Sequence, residues 1–565
     1  MLDSAPPEQI LDRILLLADP LDISSLAQTA RFLREHTANN HLWHQLARKH
    51  FDHEPPTSGN STIDWRKTLT ARITLRQILA TADDGLMKER LVCATAADPC
   101  PVQHRLTPST QHKHYPGEQL LQLYQLLFLI LSTATATAQP HSRNIAFLES
   151  LLANPTAQFR IIHYAGLNWQ DQPVYALRDS LHDPLVAAAA KLHTLYGLTS
   201  FDINRSRARG IARESCYLLR NYSSNTLWGP FIPNPDPPLP PPEDAEEEPE
   251  DIRVCRVNWP HLEALSIIVG LNLHALRRKA QDAALQDDPE EQQQQEEEEE
   301  TNPNELDLPL REILQHHGAQ HEPPHLHHQL PGRPHRPSTE LIPWPILQSL
   351  PNARPHTQLM HPAYTAPARP YHPQDIPRNP AALDLDQFDW AGVTGRWLRI
   401  VCFLDYRNLH AYNFGPGPPI CLDQFDEAVR AMTLELRVVH IGILPRHLDP
   451  QGNPGPLVPA KMRTDVPGRP PIYFEGTSAR NIGATSVPLP GQPPSRVRGY
   501  VSMTDDDEVR WSTVSTLAGA ERWASEGIQV GGVRARWGVL GVWTDVDRGA
   551  VEAPVGPFYF YKTAY

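Results

Sequence analysis

The chain has 565 residues, enough for three or four domains, and carries a formal net charge of −14. An acidic balance of this size excludes a nucleic-acid binder of the basic-patch type. Proline is the outlier of the composition: 58 residues is about twice average usage. It implies ordered parts joined by extended ones.

The chain opens with helical patterns. Pro6-Pro7-Glu8 suits a helix start, because proline is pre-set in φ and an early carboxylate complements the helix dipole. Ile10, Leu11, Ile14 and Leu15 recur at one- and four-residue steps, with Leu17 widening the stripe. Asp19-Pro20 ends this helix and begins another, with Asp19 as N-cap, Asp22 at N3, and Ile23, Leu26, Ala27 and Ala30 as the apolar stripe. A third segment, "NNHLWHQLARKHF", carries Leu42, Trp43 and Leu46. Three helices of this length bury little core alone. The leftover apolar surface points to a partner.

Residues 77–285 continue as a mainly helical middle region, interrupted by the proline-rich acidic insertion "PNPDPPLPPPEDAEEEPED" at 233–251. The run "LLQLYQLLFLIL" (Leu120–Leu131) is too short for a membrane span and carries internal glutamines, so it reads as a buried helix. Residues 286–380 are rich in Glu, Gln, Pro and His with few periodic apolar residues, and are expected to be a disordered linker.

From residue 381 to 565 the character changes. Six of the twelve tryptophans lie from Trp390 onward, which places aromatic mass in this part. Short β-rich runs alternate with turn signals: "GRWLRIVCFLDY", in which Arg396, Leu398, Ile400, Cys402 and Leu404 alternate with Trp397, Arg399, Val401 and Phe403, then "MTLELRVVHIGIL", "PIYFEG", "RVRGYVSMT", "EVRWSTVSTL", "WASEGIQVGGV", "WGVLGVWT" and "GPFYFYK". Their spacing predicts an all-β antiparallel barrel or sandwich, with "TDDDE" as a hairpin loop. The fold class is therefore multidomain α+β: N-terminal helices (1–76), a helical middle, a disordered insertion and a β domain.

The order Pro-Pro-Glu-x-Ile-Leu-x-x-Ile-Leu, then Asp-Pro-x-Asp-Ile-x-x-Leu, then Leu-Trp-x-x-Leu resembles the F-box over residues 4–50. Two positions depart from the pattern: Ala5 stands where a leucine usually precedes the proline, and Thr29-Ala30 replaces a frequent valine. "ARESCYLLRNYSSNTLWGPF" with "VNWPHLEAL", and "TGRWLRIVCFLDYRNLHAYNF" with the later β runs, look like the middle and C-terminal parts of fungal F-box proteins. The resemblance implies a three-helix F-box that docks on the Skp-type adaptor of a cullin–RING ubiquitin ligase. Carried over, Pro7, Ile10, Leu11, Ile14, Leu15, Ile23, Leu26 and Trp43 are the adaptor contacts, some of which also fill the three-helix core. The expected function is substrate receptor of an SCF-type ligase, cytoplasmic or nuclear. It presents an unidentified target protein through the C-terminal domain and catalyses nothing itself. No membrane or nucleic-acid partner and no cofactor is expected.

The chemical alternatives are weaker. His41 and His44 share a helical face, but no carboxylate or cysteine completes a metal set. The His-rich 316–335 stretch is broken by proline. Gly531-Gly532 beside Arg534 and Arg536 reads as a turn and not as a phosphate cradle. Asp384, Asp386, Asp389 and Asp405 are carboxylates of the kind used in acid–base chemistry, with Asp405 read as part of a strand-ending turn. Trp511, Trp523, Trp537 and Trp543 are core residues or a recognition surface, and Arg510 and Trp511 should face opposite ways. Two other functions stand beside the receptor: a barrel that binds a small molecule or glycan, and an adaptor-bound protein acting outside ubiquitin ligation. Six cysteines in a chain this long make no disulfide scaffold, and none forms a CxxC pair, so no zinc knuckle is expected.

Overall fold

The structure is a computed structural model. It describes residues 7–51, 64–80, 117–132, 143–152, 162, 183–199, 202–203, 206–232, 255–286, 385–415, 422, 425, 427–442, 466, 468–480, 495–517, 519–533, 535, 538–547 and 553–564. The 233–251 insertion, the His-rich 316–335 run and the linker from 287 to 380 lie outside the described residues, as do Asp384 and Trp537. The chain divides into two compact units. One holds residues 1–172, 183–192 and 360–365, and the other holds the rest. The second unit therefore unites the later part of the helical middle region with the β domain.

The first unit begins with α1 (Pro7–Leu17), α2 (Pro20–Thr29), α3 (Arg31–Thr37) and α4 (Asn40–His50). Four helices stand where the sequence suggested three. Ala30 is extended (φ −147°, ψ 147°), which ends α2 and starts a separate two-turn α3. Asn39 caps α4, its side chain accepting from the His41 N–H at 2.9 Å. Next come α5 (Trp65–Ala80), α6 (Gly117–Ser132), α7 (Arg143–Leu152) and α8 (Pro184–Tyr196), which from His193 belongs to the second unit. Leu15, Ile23, Leu42, Trp43, Leu46, Phe51, Leu69 and Ile73 form one core, with Trp65 and Phe147 packed on it. Part of the apolar surface that the opening helices leave over is thus covered by α5 and α7 of the same chain. Helix α6 buries Leu123, Tyr124, Leu127 and Ile130. No helix among the described residues is long and apolar enough to cross a membrane.

In the second unit, α9 (Ser206–Tyr217), the short pair β1 (Phe231–Ile232) and β2 (Arg256–Val257), and α10 (Trp259–Gln286) precede eight strands. These are β3 (Gly395–Phe403), β4 (Ala428–Ile441), β5 (Ile472–Arg480), β6 (Ser495–Met503), β7 (Val509–Leu517), β8 (Ala520–Gln529), β9 (Val539–Asp545) and β10 (Val555–Ala564). Each pairs antiparallel with the next, and β10 closes on β3, so the sheet is a barrel and not a sandwich. Closure leaves no edge strand. Thr504–Glu508 is the β6–β7 turn, closed by Thr504 N–H on the Glu508 carbonyl at 2.8 Å. Gly531 and Gly532, at φ 91° and 90°, form the β8–β9 turn. Helix α11 (Tyr406–Phe414) replaces the expected turn after β3. Asp405 accepts from the Arg407 N–H at 2.9 Å and caps it.

Register assigns the faces. On β3, Trp397, Arg399, Val401 and Phe403 share the parity of Trp511, Thr513 and Ser515 on β7 and of Phe558 and Phe560 on β10. These point into the lumen. The outward Arg510 is buried too, paired with Glu526 at 2.9 Å beneath the Phe231 ring. Arg510 and Trp511 do face opposite ways, yet both faces of this strand are covered.

Candidate functional site: an apolar helical face and a polar layer inside the barrel

The residues singled out for adaptor contact separate by exposure. Leu15, Ile23 and Trp43 are interior, and the Trp43 indole N–H donates to the Thr37 carbonyl at 2.6 Å. They offer no surface in this conformation and would act by holding the helices in place. Pro7 opens α1, Ile10 is half-buried, and Leu11 is half-buried against the core. Ile14 is 57% exposed and Leu26 38%. Leu17 and Phe32, outside the eight chosen residues, are exposed as well. Thus four of the nine exposed large apolar side chains among the described residues fall between residues 14 and 32. Ile10, Ile14 and Leu17 recur at i, i+4 and i+7, one stripe of α1 facing away from the core. Polar links brace this face. His36 meets Asp12 at 2.7 Å, and the Lys49 ammonium donates to the Leu16 carbonyl at 3.0 Å. His41 bonds Gln45, and His44 stacks on Trp65 at 4.5 Å. The two histidines are thus engaged in helix and core contacts.

Within the barrel one end is filled. Trp397, Trp511 and Phe560 lie 5.4 to 5.7 Å apart in edge-to-face contact, and Phe474 meets Trp511 at 5.3 Å. Phe388, Trp390 and Val393 join the same core, so the segment entering β3 plugs this end. The Gln529 amide bridges Trp511 and the Ala391 carbonyl. Asp386 and Asp389 serve the same segment, accepting from the Thr394 hydroxyl at 2.7 Å and N–H at 2.8 Å. Asp405 caps its helix, so each of the three described carboxylates holds local structure at the ends of β3.

Past the aromatic layer the lumen turns polar. Ser478, Thr513, Ser515 and Ser525 are buried there, together with Arg399, which is 5% exposed. The Arg399 guanidinium crosses from β3 to the far wall. Nη1 donates to the Ser515 hydroxyl at 3.3 Å and Nη2 to the Ser525 hydroxyl at 2.7 Å, while Cζ sits 5.5 Å from the Phe558 ring centre. Its Nε has no partner. Among the described residues no carboxylate pairs with it. Burial lowers its pKa to about 10, which leaves it charged at neutral pH. Toward the other end, Phe403, Trp523 and Trp543 are half-buried, with Trp523 and Trp543 in T-shaped contact at 5.2 Å. The Arg430 guanidinium lies 4.8 Å over Phe403.

A third constellation joins a histidine to two carboxylates. His193 Nδ1 meets Glu263 at 2.6 Å and Nε2 meets Asp202 at 3.0 Å, all buried. Burial opposes the imidazolium, but the two carboxylates prevail and raise the pKa to about 10. With both N–H groups donated, the ring has no lone pair for base work. The consequence is one of stability. A folded pKa above the ordinary 6.5 gives a contribution that is complete below pH 6.5 and lost as pH rises toward 10. Glu263, raised mainly by burial, acts in the same direction. Melting temperature is expected to fall between pH 7 and pH 10, and His193→Gln is expected to flatten that decline. An unchanged slope in the variant would assign it elsewhere. Cys216, Cys255 and Cys402 are free, buried thiols. Among the described residues no group of three His, Cys, Asp or Glu is placed to hold a metal.

Alternation had marked Arg399 as sharing a face with Trp397 and Val401, but not that this face was the lumen. His193, Asp202 and Glu263 carry no local signal in the sequence. Comparison with protein-family models, with curated proteins and with solved structures found no match to this chain.

Proposed function

We propose that this protein is the substrate-recognition subunit of an SCF-type ubiquitin ligase. Its opening helices dock on a Skp-type adaptor, and its barrel domain holds a target protein near the ubiquitin-charged enzyme. Such a subunit works by raising effective concentration and needs no reacting group of its own. The observation that supports this reading is the concentration of exposed Ile14, Leu17, Leu26 and Phe32 on helices whose core is already complete. Exposed apolar side chains on helices with a core of their own are surplus to folding and fit a hydrophobic partner.

Affinity purification of the intact chain beside an Ile14→Asp, Leu26→Asp double variant tests it. Retrieval of an adaptor and cullin by the intact chain alone is the expected result. Retrieval of neither by the intact chain would end the ligase reading, and adaptor without cullin would place the protein outside ubiquitin ligation. Deleting residues 1–50 is a poor substitute, because it uncovers Trp65, Leu69 and Ile73.

A further inference from the structure

We propose that the barrel lumen is a binding site for a carboxylate carried on an apolar or aromatic body, with Arg399 as the group that receives the carboxylate. The inference stands apart from adaptor docking, since Arg399 and the docking helices belong to different units of the chain.

The starting point is a charge in the wrong place. A guanidinium that is 95% removed from solvent, as 5% exposure implies, requires compensation for lost hydration of several kcal/mol. The outward Arg510, equally buried, obtains it from Glu526 at 2.9 Å. Arg399 has two serine hydroxyls and the face of Phe558, and no anion among the described residues. Hydroxyls are weak partners for a full charge. They are also rotatable, so Ser515 and Ser525 can turn to donate to an arriving oxygen. The unpartnered Nε and one Nη are adjacent donors, the pair that a planar carboxylate accepts in a fork.

The surroundings select the rest of the ligand. The floor beneath Arg399 is closed by Trp397, Trp511 and Phe560, so approach is from the end bearing Phe403, Trp523 and Trp543. Those half-exposed rings suit an apolar or aromatic body. The single positive charge of Arg399 matches one carboxylate. Retaining a lone buried arginine where a hydrophobic side chain would pack better is the trade of stability for function that binding sites make.

The test is isothermal titration of the full-length protein with two matched pairs: dodecanoate against dodecanol, and a hexapeptide with a free C-terminal carboxylate against its amide. The expected result is that at least one acid binds about tenfold or more tighter than its uncharged match, the scale of a charge-assisted hydrogen-bond pair. Preference only within the first pair makes the ligand a free organic acid. Preference only within the second makes it a chain terminus and gives the receptor its recognition signal. Arg399→Met is expected to erase the preference without lowering the melting temperature. Ser525→Val, which leaves the arginine in place but crowds its Nη2, should weaken the acid and not the uncharged match, and it serves if the first variant misfolds. Binding of neither acid, equal binding within both pairs, or an undiminished preference in both variants would overturn the proposal. None of these results bears on adaptor retrieval, so this proposal and the ligase reading fail separately.

Discussion

Replacing Glu427 with Ala is expected to destabilise the second unit by about 3–5 kcal/mol, the range for breaking a buried charge pair from one side. Glu427 stands just before β4, and its side chain has no solvent exposure. One oxygen accepts from Arg213 Nε at 3.2 Å, from Nη2 at 3.1 Å and from the Asn272 amide at 3.0 Å, and the other accepts from the Tyr217 hydroxyl. Arg213 also reaches the Leu422 carbonyl at 2.7 Å. A single carboxylate therefore ties α9 and α10 to the start of β4. Its removal leaves the Arg213 guanidinium, 1% exposed, facing no anion. The matching control is Glu475→Ala. The Arg437–Glu475 pair is 73% and 49% exposed, and water screens it, so a loss below about 1 kcal/mol is expected there. Urea unfolding followed by tryptophan fluorescence separates the two. Equal losses would mean that the buried cluster is no anchor.

The contrast between Glu427 and the barrel strands shows what a sequence makes legible. Each of the eight strands falls on one of the short β-rich runs that turn signals separate in the sequence. Closure was not legible: it depends on β10 pairing with β3, with Tyr559 opposite Ile400, across most of the domain. The inward face of β3 was ambiguous for a physical reason. Leu398, Ile400 and Cys402 are buried on the outside as firmly as Trp397 and Val401 are inside, so both parities look apolar. Glu427 has its partners 214, 210 and 155 residues away, and no local pattern encodes such distances. Asp405 misled differently. An aspartate accepting from the N–H two residues on makes the same local contact in an Asx turn and at a helix N-cap, and only the conformation of the next turn of chain distinguishes them. The short α3 escaped because its boundary at Ala30 carries neither proline nor glycine.

The opening helices pose the sharper question, since the residues chosen for docking divide between surface and interior. On the adaptor proposal, Ile14→Ala and Leu26→Ala should each weaken binding to a Skp-type adaptor by about 2 kcal/mol or more, the scale of interface hot spots. Because Ile14 is 57% and Leu26 38% exposed, neither change should lower the melting temperature appreciably. Trp43→Ala should do the reverse. It empties a fully buried position and breaks the bond to Thr37, for a loss of about 3–5 kcal/mol of stability, and any loss of binding is then a result of unfolding. Ile10→Ala with Leu11→Ala falls between, because both side chains are half-buried and Leu11 leans on the core. That pair should weaken adaptor binding by several kcal/mol while also softening the fold. Binding by titration calorimetry and melting on the same samples distinguishes these classes. If Ile14 and Leu26 tolerate alanine with unchanged adaptor affinity, the exposed stripe of α1 and α2 is not the docking face. The remaining exposed pair, Leu17 and Phe32, would then have to carry it alone, and on two residues a stable interface is not built.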